Sequence, residues 1–187
     1  MLSAVVGYSL PSVSDEPRRL PAGGYHALTL AGAVLAAASI VVFGPTLQGF
    51  AAAILCLALV IVTAADLEYR LIPNRVVLPA SAVVLTLQTA ADPGPEWALA
   101  ALGAGFGMFA VALAYPAGLG MGDVKLAFLM GAALGRGVVP ALMLGMVLAV
   151  VPAIGLLVRH GKAGRKMGIP FGPFLALGSI VILFAGG

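Results

Sequence analysis

The sequence predicts an all-α fold: a polytopic membrane helix bundle of about six to seven transmembrane helices, with its N-terminus in the cytoplasm. Three observations carry this. First, 61% of the 187 residues are hydrophobic and 9% are charged, with a mean hydropathy of +1.12. A water-soluble domain carries about 25% charged residues, so this chain cannot cover a water-facing surface. Second, the apolar residues come in runs of about 15–22, close to the ~20 that cross a bilayer as a helix. The ~10-residue alternating segments of a membrane barrel are not found. Third, the charges lie between the runs, and the basic ones fall on one side of them.

The elements follow in order. Residues 1–24 form a soluble lead-in containing Asp15, Glu16, Arg18 and Arg19, where Pro11, Pro17 and Pro21 oppose regular structure. Leu2–Leu10 is too short for a secretory signal and follows no basic stretch. The remainder, 25–187, is the membrane region. Its first run, 26–43, follows the lead-in. The second, 47–65, ends at Ala64-Ala65 just before Asp66. The third, 76–90, follows the polar loop from Asp66 to Asn74. The fourth, 97–116, comes after a loop holding Asp92 and Glu96. The fifth, 123–135, is opened by Asp123. The sixth, 138–158, leads into the basic loop Arg159–Lys166. The seventh, 170–186, starts at Pro170. The third and fifth runs are short for a full span and are expected to tilt or to continue into their loops.

Orientation comes from the basic residues. With the N-terminus in the cytoplasm, Arg18, Arg19, Arg70, Arg75, Lys125, Arg159, Lys162, Arg165 and Lys166 all fall inside and only Arg136 falls outside. Such a bias is what the positive-inside rule requires. The net charge of +3 thus belongs to orientation loops, and no basic patch with interleaved aromatics suggests nucleic acid. The basic loop also suits contact with anionic membrane lipid. Cys56 is the single cysteine, which excludes an internal disulfide and a cysteine-based metal cluster.

The same topology puts Asp66 and Asp123 at one membrane face, each at a helix end. An acid at the edge of a hydrocarbon layer is costly and usually functional. Two carboxyls at hydrogen-bonding distance cannot both ionise, so one can take a proton from water while the other gives one to a carbonyl. Each acid also has a plainer reading. Asp123 can simply cap a helix N-terminus. Asp66 can be a solvated ion pair with Arg70 and Arg75, and Glu68 reads as a solvated loop acid. Gly120 and Gly122, flanking Met121, would permit unusual backbone angles and close approach of a substrate strand. Lys125 places an ammonium near the acids.

Three stretches together resemble the type IV prepilin peptidase family, membrane aspartic proteases of the GxGD type. They are Asp66 followed by Ile72-Pro73-Asn74; Gly120-Met121-Gly122-Asp123-Val124-Lys125-Leu126; and Ile169-Pro170-Phe171-Gly172-Pro173-Phe174-Leu175-Ala176. The resemblance implies that Asp66 and Asp123 are the catalytic pair and that the other residues support them or bind substrate. The third stretch would lie beside the acids and help seat the substrate, although its prolines could equally just start a helix. It implies cleavage at the cytoplasmic face between a short basic leader and a hydrophobic helix of a prepilin or pseudopilin. No metal or other cofactor is required. The long family members carry a zinc-binding domain with paired Cys-x-x-Cys motifs, tied to N-methylation. Its cysteines are not found here, so a peptidase without methyltransferase activity is expected.

Competing readings stand beside this. A presenilin-like protease would place its first acid after a tyrosine, whereas Asp66 follows Ala65. A serine protease would need a nucleophile and base, but Ser39, Ser81 and Ser179 lie in apolar runs, and His26 and His160 sit singly at span margins. The zinc-protease motif His-Glu-x-x-His does not occur. A transporter using the same acids as a proton or cation relay is the alternative from another class. Transport sites lie near the bilayer midplane, however, and these acids lie at a margin.

Overall fold

In a computed structural model, residues 21–115, 118–160 and 169–186 are described. Among them the secondary structure is helical throughout. The seven α-helices are α1 (Ala22–Phe43), α2 (Leu47–Tyr69), α3 (Asn74–Ala91), α4 (Glu96–Ala114), α5 (Met121–Leu134), α6 (Val138–His160) and α7 (Gly172–Ala185), and a 3-10 turn at Gly135–Gly137 joins α5 to α6. The lead-in residues 1–20 and most of the basic loop, 161–168, lie outside the described residues. Helix α1 starts at Ala22, within the stretch assigned to the lead-in.

Local chemistry sets the breaks. Gly44, at φ 74°, ends α1, and the Thr46 hydroxyl accepts the Gly49 N–H at 3.1 Å to start α2. Pro73 holds Ile72 out of the helical region and becomes the N-cap of α3. Pro95 precedes α4, whose first turn carries Glu96, favourable against the helix dipole. Gly135, at φ 53°, stops α5. Pro173 occupies the first turn of α7, where its missing N–H costs nothing.

Helices α4 and α5 pack along their length, as do the antiparallel neighbours α1–α2, α2–α3 and α6–α7; α3 lies on α5, and α7 on α2. The core is built where α2, α3, α5 and α7 meet, from Leu55, Leu59, Val62, Val77, Val84, Leu126, Leu129, Met130 and Leu175. Three of the sequence's apolar-run serines are also buried there. Ser39, Ser81 and Ser179 each donate to the carbonyl four residues back, on Leu35, Val77 and Leu175. Their hydroxyls therefore serve the helix backbone. His26 is exposed near the start of α1.

The outer faces are apolar: Val41 is 82% exposed, Val158 79%, Val151 70% and Phe106 67%. That surface suits hydrocarbon rather than water, as in a multi-pass membrane protein. Four stretches are long and apolar enough to cross a bilayer: Gly23–Phe43, Leu47–Tyr69, Glu96–Ala114 and Met121–Arg159. This is fewer than the six to seven predicted, for physical reasons. The last stretch counts once although it holds α5, the 3-10 turn and α6. Helix α3 carries Asn74, Arg75, Thr86, Gln88 and Thr89 and is too polar. Helix α7 has 14 residues, or about 21 Å at 1.5 Å per residue, short of a ~30 Å hydrocarbon core.

Candidate active site

Helix α2 runs four residues beyond its predicted end. Arg70 adopts a left-handed conformation (φ 50°) and its N–H bonds the Asp66 carbonyl at 3.0 Å, closing the helix without a glycine. Asp66, Leu67, Glu68 and Tyr69 are therefore helical rather than loop. Asp66 is 6% exposed and its Oδ2 accepts the backbone N–H of Gly172 at 2.8 Å. Asp66 is buried rather than solvated as expected, because the last turn of α2 faces the start of α7 instead of water.

Asp123 stands in the first turn of α5 and is 9% exposed. Its Oδ2 accepts the Gly120 N–H at 3.0 Å, while its own N–H donates to the Gly120 carbonyl at 3.1 Å. The capping role considered for it is thus real, and it coexists with placement on a cleft. Asp66 and Asp123, fifty-seven positions apart (123 − 66), both line one cavity of about 510 Å³ at the same end of the bundle. Each has Oδ2 pinned by a backbone N–H. No side-chain group bonds either Oδ1 among the described residues.

The three stretches interlock around this cavity. Ile72, Asn74, Gly120, Gly122, Lys125 and Phe171 share its wall with the acids. Lys125 Nζ donates to Asn74 Oδ1 at 2.9 Å, so the ammonium ties α5 to the start of α3. Pro73 is buried as the N-cap of α3, and Pro170 and Pro173 flank the start of α7; none of the three lines the cavity. Gly172 reaches the site through its backbone alone.

The glycines of the second stretch act differently from the expectation. Gly120 has φ −89° and ψ 159°, ordinary extended backbone, and Gly122 is helical. No left-handed angle is needed. A Cβ on Gly122 would lie 2.8 Å from Ile72 Cβ, so α5 can sit against the Ile72 corner only with glycine there; a Cβ on Gly120 would meet Asp123 Oδ2 at an ordinary 3.5 Å. Gly122→Ala is expected to cost about 1–3 kcal/mol, the range for overpacking against a branched, buried side chain. Gly120→Ala is expected to stay within about 0.5 kcal/mol. Thermal unfolding of both variants in detergent checks the contrast.

Arg70, read in sequence as an orientation charge and as an ion-pair partner for Asp66, lines the cavity, as do Met121 and Ile169 from the second and third stretches. Leu71, Gly118 and Leu119 escaped the sequence reading; each lies within two residues of a motif, which is the signal that could have found them. Glu68 is corrected more sharply: it is 4% exposed, and the Tyr25 hydroxyl donates to its Oε1. A buried carboxyl needs such partners, and its partner lies 43 residues upstream. Tyr25→Phe is expected to destabilise the protein by about 1–3 kcal/mol, the cost of removing one donor from a buried acid. A lowered detergent melting midpoint checks it.

The packed helices, apolar outer faces and paired buried carboxyls on one cleft define a multi-pass membrane protein with an acid-lined cavity. The family model for the type IV leader peptidase family matches residues 53–158. The chain belongs to that family, a family of proteases. The matched segment contains both acids and the first two stretches; the start of α7 lies beyond it. No curated protein and no solved structure matches the chain.

Proposed function

We propose that this protein is a membrane aspartic endopeptidase that removes the short basic leader from type IV prepilins or pseudopilins, with Asp66 and Asp123 as its catalytic pair. The observation that carries the reading is the convergence of two buried carboxyls, from the end of α2 and the start of α5, on one cavity. In this reading water sits between the two carboxyls. One carboxylate takes a proton from the water as its oxygen attacks the scissile carbonyl carbon. The other, protonated, gives its proton to the carbonyl oxygen. Collapse of the tetrahedral intermediate breaks the C–N bond: one of its two hydroxyls returns a proton to the acid that gave one, leaving a new carbonyl, and the leaving amine takes the proton just gained from water. The two acids share the titration and act as one unit.

The cavity walls support a peptide substrate. They combine apolar side chains such as Ile72, Leu119 and Phe171 with the carboxyls. A peptide strand offers both kinds of surface. The excess of basic residues on one side supports a cytoplasmic position for this end of the bundle, at a bacterial inner membrane in this reading. A prepilin presents its leader there, with its hydrophobic helix in the bilayer. The reaction serves pilus biogenesis or protein secretion.

Co-expression with a candidate prepilin tests the proposal. The wild-type chain is expected to convert the precursor to a shorter product on a gel, cut after the leader. Proton-coupled uptake by liposomes carrying the protein, with no cleavage of any prepilin, would overturn it in favour of an ion relay.

A further inference from the structure

We infer that Gly172 is a positioning residue for the reaction: its backbone N–H sets the orientation of the Asp66 carboxyl. The inference rests on the proposed function and assigns the third stretch a task other than seating substrate. Gly172 is the first residue of α7. The N–H groups of a helix's first turn have no partner within the helix and readily bind a carboxylate. Here the Gly172 N–H donates to Asp66 Oδ2 at 2.8 Å, across 106 positions of sequence, and both residues are buried.

The approach is as close as the backbone allows. A Cβ on residue 172 would lie 3.0 Å from Asp66 Oδ2 and 3.3 Å from its Cβ and Cγ. Any side chain there would push directly on the acid. With Oδ2 tethered, rotation of the carboxyl beside the cavity is restrained. Asp123 has an equivalent tether from Gly120 within its own helix start. Asp66, at a helix C-terminus, has none of its own and takes one from α7. Phe171, next to Gly172, lines the cavity while Gly172 does not. The stretch therefore reaches the reaction along two routes, side chain at 171 and backbone at 172.

An amide-to-ester replacement at position 172 isolates the second route. Cell-free synthesis with a suppressor tRNA carrying glycolic acid removes the N–H and adds no side chain. Kinetics use a synthetic peptide spanning a prepilin leader and the first residues of its helix, in detergent. The ester is expected to lower kcat about tenfold to a hundredfold, as for loss of a hydrogen bond to a charged group, with KM within about twofold. Its melting midpoint should fall no further than that of Tyr25→Phe, which also removes one donor from a buried acid, and kinetics are read well below it. Gly172→Ala, which keeps the N–H but crowds the acid, should lower kcat as well and leave KM unchanged.

A rise in KM with kcat intact would overturn the inference and return the stretch to substrate seating. A parallel fall in melting midpoint and activity, with KM also disturbed, would reduce it to a structural contact. Full activity of the ester beside an inactive Asp66→Asn variant would remove this inference alone. Full activity of Asp66→Asn would remove the proposed function itself.

Discussion

Asp66→Asn and Asp123→Asn are each expected to lower prepilin cleavage at least about a thousandfold, while the protein still inserts and accumulates in the membrane. The size follows from the chemistry. Positioned acid–base groups contribute about 10²–10⁴ each, and residues that act as a unit lose most of their effect when either is removed. The asparagine amide keeps the shape of the carboxyl but can neither take a proton from water nor give one to the peptide. It also retains an oxygen that can accept the N–H of Gly172 or Gly120, so the tethers at 2.8 and 3.0 Å survive. Stability should change little, and the double variant should be no worse than the single ones. Cleavage is read by gel mobility and membrane content by an epitope tag. Normal cleavage by either single variant would refute the paired-acid mechanism.

Gly131→Ala is expected to produce a large loss of stability for a single added methyl. A Cβ there would lie 2.4 Å from the Ala100 carbonyl oxygen and 2.6 Å from Ala101 Cα. These are backbone atoms of α4, so no side chain can turn aside. The α4–α5 seam is built from small residues, among them Ala100, Ala101, Ala104 and Gly131, which let the two backbones touch. Separating them loosens contacts along the seam. A cost of about 3 kcal/mol, at the upper end for overpacking, corresponds to a melting midpoint lower by about 6–12 °C. Trp97, the one tryptophan, packs close to Gly135 at the end of this seam, so its fluorescence reports the change. Gly103→Ala is the control. Nothing lies within 4 Å of a Cβ there, and the substitution should be neutral or slightly stabilising.

Apolar run lengths and turn residues made the seven helices legible in sequence, because each break carries proline, glycine or a charge. That Asp66 and Asp123 lie at the same end of the bundle was legible through loop charge, which put both helix ends on one side. The true end of α2 was not. Its cap is Arg70 in a left-handed conformation, and arginine carries no stop signal. The burial of Glu68 depends on that extra turn and on Tyr25, a partner no local pattern connects to it. The reason for Gly122 was also hidden, since the crowding atom belongs to Ile72, fifty positions earlier (122 − 72). Contacts that determine a site from across the fold leave no mark in the residues beside it.

The final turn of α2 makes Asp66 a matter of angular phase. Each residue of an α-helix advances about 100° around its axis. Within α2 the chain therefore counts as a dial, with Leu55, Leu59, Val62 and Asp66 set on the inward hours. Inserting or deleting one residue between Leu59 and Asp66 would swing the carboxyl about 100° away from Gly172. Adding four would bring it nearly back in angle, but about 6 Å further along the axis. Length variation within this protein's relatives should accordingly be forbidden in the second half of α2.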